Sequence, residues 1–132
     1  MTLAAASTVA TTSNVKEINV TNTKGVVITT ALNDTTKFTG GAGADTVEIG
    51  ATTKAIAMGA GDDTVIYGGA LGTGGSVDAG AGKDTISMTS ALITSNIVTD
   101  GTGIFNNTFK NFEVLEVSTA GTSIVIDVEK IN

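Results

Sequence analysis

Residues 40–48 read Gly40-Gly41-Ala42-Gly43-Ala44-Asp45-Thr46-Val47-Glu48, and the phrase returns twice. The second copy is Met58-Gly59-Ala60-Gly61-Asp62-Asp63-Thr64-Val65-Ile66, and the third is Ala79-Gly80-Ala81-Gly82-Lys83-Asp84-Thr85-Ile86-Ser87. Each copy joins a glycine-rich turn to an aspartate, a threonine and an aliphatic residue. Glycine and aspartate mark turns in any fold, so one copy would carry little weight; three in register decide the architecture. Asp45 and Asp63 are 18 positions apart, and Asp63 and Asp84 are 21 apart. Apolar residues keep half of that period: Phe38, Val47, Ile56 and Val65 follow at intervals of nine, as do Val77 and Ile86. A coil of two nine-residue halves sets each aspartate above the last along one edge, one strand spacing of about 4.8 Å apart. The three extra residues before Asp84 have room in the stretch from Tyr67 to Gly75. Such repeats specify a solenoid, whose coils bury their apolar faces against their neighbours.

The three phrases fit the nonapeptide G-G-x-G-x-D-x-U-x, where U is a large aliphatic residue, except that Met58 and Ala79 replace the first glycine. On these residues the chain resembles the calcium-binding repeats-in-toxin (RTX) family. The resemblance is close over roughly a third of the chain and extends further only through the rhythm of the coils. It implies an all-β fold, a right-handed parallel β-roll or β-helix with calcium-binding turns along one edge. The implied ligands are Gly41, Gly43 and Asp45 in the first loop, Gly59, Gly61, Asp62 and Asp63 in the second, and Gly80, Gly82 and Asp84 in the third. Calcium takes six to eight oxygens at about 2.3–2.6 Å, more than one loop offers but within reach of two stacked loops. Three loops enclose two gaps. The expectation is therefore two well-formed calcium sites, with an incomplete third at one end as a further option. Asp63 faces both gaps, so Asp63→Ala is expected to weaken binding more than Asp45→Ala or Asp84→Ala. Lys83 is expected to point outward. The plainer alternative is that glycine serves only turn geometry and each aspartate caps its own backbone.

Composition narrows the function. The length suits one domain. Net charge is −6, with seven lysines and no arginine, so no nucleic-acid surface of basic clusters and guanidinium forks is expected. Histidine and cysteine are absent, which removes imidazole bases, thiol nucleophiles, typical zinc sites and disulfides. No apolar run approaches the 18 residues of a membrane span. The start, Met1-Thr2-Leu3-Ala4-Ala5-Ala6-Ser7, lacks the basic region of a secretory signal and suits a segment cut from a longer protein. Gly80-Ala81-Gly82-Lys83-Asp84-Thr85 fails as a phosphate loop, which needs glycine at 77 and Ser or Thr at 84. No isolated carboxylate pair suggests glycoside chemistry, and a polysaccharide lyase would lack its usual arginine or histidine. The chain is read as non-catalytic, without organic cofactor.

Residues 1–13 read as a linker or irregular first coil, and 14–132 as one domain. Val47/Ile49, Ile56/Met58, Val65/Tyr67 and Ile86/Met88 are expected to point inward in pairs, with Thr46, Glu48, Thr64 and Thr85 outward. The rhythm breaks over about 90–111, read as a loop, a covering flap or a short helix, with Phe105, Phe109 and Phe112 as packing residues. Strands resume at Phe112–Val117 and Ile124–Val128, leaving the last coil open. The ending Val128-Glu129-Lys130-Ile131-Asn132 echoes Val15-Lys16-Glu17-Ile18-Asn19, as in a protein that reuses one unit. Its RTX phrases, threonine, alanine and glycine bias, acidity and lack of cysteine are most similar to bacterial surface-layer (S-layer) proteins. The resemblance implies a secreted structural module at the cell surface, rigidified by calcium and assembling with copies of its parent protein. The alternative is a carbohydrate-binding RTX accessory module of an extracellular polysaccharide-modifying enzyme, with cell-surface polysaccharide as partner.

Overall fold

Apolar residues that alternate with polar ones build strands buried on one face only. The computed structural model describes residues 1–5, 7–9, 14–69, 73–98, 104–119 and 122–131. Its strands alternate along the chain between two sheets. The six-stranded sheet holds β1 (Thr2–Leu3), β3 (Glu17–Val20), β5 (Lys37–Thr39), β7 (Ala55–Ala57), β9 (Ser76–Asp78) and β11 (Phe109–Lys110). The seven-stranded sheet holds β2 (Ser7–Val9), β4 (Val26–Leu32), β6 (Thr46–Ile49), β8 (Thr64–Tyr67), β10 (Thr85–Met88), β12 (Phe112–Thr119) and β13 (Thr122–Ile131). Neighbouring strands are parallel everywhere except between β12 and β13. The molecule is the expected parallel β-solenoid, each coil adding one strand to each sheet.

The core is two apolar columns that face each other. Ile18, Phe38, Ile56, Val77 and Phe109 are partners across the first sheet. Ile28, Val47, Val65, Ile86 and Leu115 are partners across the second. All ten are buried in one cluster. The eight side chains read as inward pairs are buried too, while Thr46, Glu48, Thr64 and Thr85 are half-buried on the outer face. The step from Phe38 to Ile56 is 18 residues and from Ile56 to Val77 it is 21. Val47 to Val65 and Val65 to Ile86 take the same two steps. Both sheets absorb the same three residues, which places the insertion between Tyr67 and Ser76; part of that connection, 70–72, lies outside the described residues.

The two ends differ from the middle. Among the first thirteen residues, β1 and β2 continue the parallel pattern by pairing with β3 and β4. Within 90–111 the chain forms α1 (Ser90–Ile93), a π-helical turn (Thr94–Val98) and α2 (Ile104–Thr108); 99–103 lies outside the described residues. Thr89 caps α1, its hydroxyl accepting from the Leu92 amide at 3.3 Å, as a threonine at that position should. Leu92, Ile93 and Ile97 pack against the core. Phe105, Phe109 and Phe112 are buried and serve packing. Phe109 stacks on Phe105 at 4.6 Å between ring centroids and meets the edge of Tyr67 at 5.2 Å.

In the second sheet the last coil is not left open, while β11 remains an edge of the first. After β12 the chain reverses, and β13 runs antiparallel to β12 from Thr122 opposite Thr119 to Ile131 opposite Phe112. Only two residues separate the strands, enough for a hairpin, whereas a parallel return needs a crossover of a dozen or more. The edge of β12 that another coil would have covered is therefore paired. Among the described residues, no helix is long and apolar enough to cross a membrane.

Phe109 joins the first-sheet column to the ring cluster. Phe109→Ala should cost about 3–5 kcal/mol, read as a lower urea midpoint at unchanged m-value. A loss below about 1 kcal/mol would remove the ring cluster from the core.

Candidate metal centre

The strands of the first sheet lead into those of the second through the three glycine loops, and an acidic residue stands at the end of each loop. Asp45, Asp63 and Asp84 immediately precede Thr46, Thr64 and Thr85, which are partners across β6, β8 and β10. The aspartates thus form a column at one edge, as their spacing required. A fourth acid extends it. Thr85 pairs with Val114, so Glu113 occupies the aspartate position of the last coil. In the opposite direction Val27 pairs with Thr46, and the position below Asp45 is Val26, which ends the acidic run.

Each acid is bonded through its side chain to the preceding coil. The Oδ1 of Asp45 accepts from the Val26 amide at 2.8 Å, that of Asp63 from the Asp45 amide at 2.7 Å, and that of Asp84 from the Asp63 amide at 2.8 Å. Glu113 completes the series, its Oε2 accepting from the Asp84 amide at 2.9 Å. In return, the carbonyls of Asp45 and Asp63 accept from the amides of Thr64 and Thr85, each at 2.8 Å. An ionised acceptor makes each such side-chain bond worth roughly 1.5–3 kcal/mol. The aspartates therefore cap the backbone of the preceding coil. The alternative in which each aspartate caps its own loop applies only to the second oxygen of Asp45, which accepts from the Gly41 amide at 3.2 Å.

Two oxygens have no such use. Oδ2 of Asp63 and Oδ2 of Asp84 are buried and accept no hydrogen bond among the described residues. The side chains are 1% and 0% exposed. A buried, unpaired carboxylate oxygen is costly, and burial pushes both carboxyls up to about 6. The amide bonds from Asp45 and Asp63 oppose that rise, while neighbouring acids reinforce it: Asp45, Asp84 and Asp62 for Asp63, and Glu113, Asp62 and Asp78 for Asp84. Burial also raises Asp45, against its bonds from Val26 and Gly41.

The glycines are there for close approach. Gly80 and Gly82 have φ of +97° and +150°, and a Cβ on either would lie 2.0 and 1.9 Å from the carbonyl oxygens of Gly59 and Gly61. Met58 and Ala79, which replace the first glycine of the motif, are buried inward and need no left-handed backbone. The loops also bond to one another: the Ala60 amide donates to Gly41, Ala81 to Gly59, and Gly61 to the Ala81 carbonyl, all at 2.9 Å. Each carbonyl keeps a second lone pair. Asp62 stands apart from the column; it is exposed, and its Oδ1 accepts from the Lys83 amide at 2.9 Å. Lys83 is exposed.

The donors are all hard oxygens, the chemistry of calcium rather than of a transition metal. Among the described residues no three acidic side chains gather closely enough to hold a cation by themselves. Any cation here would draw on paired carboxylates and main-chain carbonyls from successive loops, with Asp45, Asp63 and Asp84 as the charged ligands. Glu113 was not singled out from sequence. Its signal was there: Glu113-Val114-Leu115 repeats the acid, β-branched, aliphatic order of Asp45-Thr46-Val47, but without a glycine turn before it. No family model matches the chain, and no curated protein matches it.

A carboxyl that is raised on folding favours the folded state most when protonated. Stability of the chelated protein should therefore be greatest below the ordinary aspartate range and fall as pH rises through about 6. Melting in chelator at pH 4.5 and pH 7.5 checks this: the expected midpoint is higher at pH 4.5, and a lower one there would contradict the burial of the two free oxygens.

Proposed function

We propose that this chain is a non-catalytic structural module of a secreted bacterial surface-layer protein, whose acidic column binds calcium between successive coils. The observation that carries the calcium reading is the pair of buried, unpartnered oxygens on Asp63 and Asp84. They stand one coil apart, beside loops that hold glycine because backbone crowds backbone. A divalent ion in each gap would give those oxygens the partner that they lack and offset the repulsion along the column. The Asp45–Asp63 and Asp63–Asp84 gaps are the two sites. The surface-layer assignment rests on the resemblance to RTX-bearing surface-layer proteins. Calcium is plentiful outside the cell, where coil rigidity would favour ordered assembly with further copies.

One observation favours the second reading, a carbohydrate-binding accessory module. Although the net charge is −6, Lys16, Lys37 and Lys54 line a groove of about 590 Å³ with Thr35 and with Glu17, which pairs with Lys37 at 3.5 Å. They lie at or just before the starts of β3, β5 and β7, the strand ends remote from the aspartate loops. An acidic polysaccharide is the partner that such a groove would suit.

Calcium at a hundredfold excess over Kd should add about 2.7 kcal/mol per site, so two sites should raise the melting midpoint by roughly 10 °C or more over that in chelator. Equal midpoints and unchanged circular dichroism would end the calcium reading. Electron microscopy of the calcium-loaded protein should then show ordered arrays; monomers at high concentration would count against the surface layer.

For the second reading, labelled polygalacturonate should be retained by the wild type and lost on replacing Lys16, Lys37 and Lys54 with alanine. Replacing the exposed Lys24, Lys83 and Lys110 on the aspartate side changes charge equally. Equal losses from both triple variants would reduce retention to unspecific attraction.

A further inference from the structure

We propose that Asp84 and Glu113 form a third divalent-cation site, closing the column at its helical end; the inference rests on the calcium reading above. The nonapeptide pattern does not reach Glu113, and the coil that carries it lacks the glycine loop of the other three. Register nevertheless sets Glu113 beside Asp84 as Asp84 is set beside Asp63. The hydrogen bond is the same as well: the Asp84 amide donates to Glu113 Oε2 at 2.9 Å, as the Asp63 amide donates to Asp84 Oδ1 at 2.8 Å.

The sign of a ligand beyond the two acids themselves is the second oxygen of Asp84, which the Asp63–Asp84 gap would share with this one. That side chain is fully buried, and its Oδ2 has no partner. Register gives Asp84 an acidic neighbour in the coil on each side, Asp63 and Glu113, and so a gap on each side. Glutamate's additional methylene suits the shorter turn, since the carboxylate must reach further to meet the same amide.

The turn before Glu113 is adapted in a second way. Asn111 has φ of +61°, the sole non-glycine residue with positive φ among the described residues. Asparagine tolerates that region better than most side chains. Its Nδ2 donates to Asp78 Oδ1 at 2.8 Å, and the Lys110 carbonyl accepts from the Ala79 amide at 3.0 Å. The last turn is thus tied to the third glycine loop by side chain and backbone together. The main-chain carbonyls of these two turns would complete the ligand set, with Asp84 and Glu113 as its charged members. Asp84 then faces two gaps, and Asp84→Ala should weaken binding as much as Asp63→Ala rather than less.

A simple capping role for Glu113 makes a different prediction. Glu113→Gln keeps an oxygen to accept from the Asp84 amide but loses the charge; Glu113→Ala loses both. Calorimetric titration with calcium chloride should give three ions per wild-type chain and two for Glu113→Gln. Melting in chelator should leave Glu113→Gln at the wild-type midpoint or above, and Glu113→Ala below it. A count that is the same in wild type and Glu113→Gln, whether two or three, overturns the third site and leaves the other two standing. A wild type that binds no calcium overturns the site together with the reading on which it rests.

Discussion

A backbone amide that leaves a glycine loop at the edge of a solenoid must find an acceptor before its strand begins. In this chain the acceptor is a carboxylate from the next coil. Four such bonds run in series from Val26 through Asp45, Asp63 and Asp84 to Glu113. The geometry asks for a side-chain acceptor oxygen that reaches one layer down and no further. It also fixes the register. Slipping a coil by one residue would remove the acceptor from each amide and turn the apolar column beside it outward. The edge and the core thus enforce the same alignment from opposite sides.

The opposite edge solves the problem differently. There Thr36 and Thr52 are buried polar residues, and their hydroxyls donate to the Val15 and Lys54 carbonyls at 2.6 and 3.1 Å. Hydroxyls satisfy carbonyls without bringing charge into the stack, and the connections there vary in length. The three-residue insertion falls on this side, between Tyr67 and Ser76. The links there are neutral, though they too join coils: Thr36 reaches Val15, and the Thr53 amide donates to the Asp34 carbonyl at 2.8 Å.

The regular part of the fold was legible because each coil repeats one physical requirement. Aliphatic residues at nine, aspartates at 18 and glycines before them sufficed to place both sheets, the inward pairs and the acidic column. What the sequence concealed lies where the repeat stops. Glu113 fills an aspartate position 29 residues after Asp84, across a helical excursion that no period could bridge. The hairpin of β12 and β13 looked like another coil because parallel and antiparallel strands share one alternation. Asp62 neighbours the column in sequence but is exposed outside it, and its Oδ1 accepts from the Lys83 amide. The bond from each aspartate to the preceding coil was hidden for another reason: spacing shows that two residues stack, not which atoms meet.

The division of labour within each carboxylate bears on how a metal and the fold would be related. One oxygen of Asp63 and of Asp84 already holds the coil below, so the column is part of the architecture before any ion arrives. The other oxygen is buried without a partner. Near neutrality a carboxyl held at about 6 has lost most of its proton, and the buried anion faces like charges one coil away. Two unit charges about 5 Å apart repel by roughly 3 kcal/mol at an effective dielectric constant of 20. Protonation relieves that repulsion in acid, and a divalent ion would relieve it at neutral pH through the same oxygens. Cation and proton are then competitors for one position, and the ion tightens a solenoid that hydrogen bonds have already set in register. On the calcium reading proposed above, the ion would act on the stiffness of the stack rather than on its register.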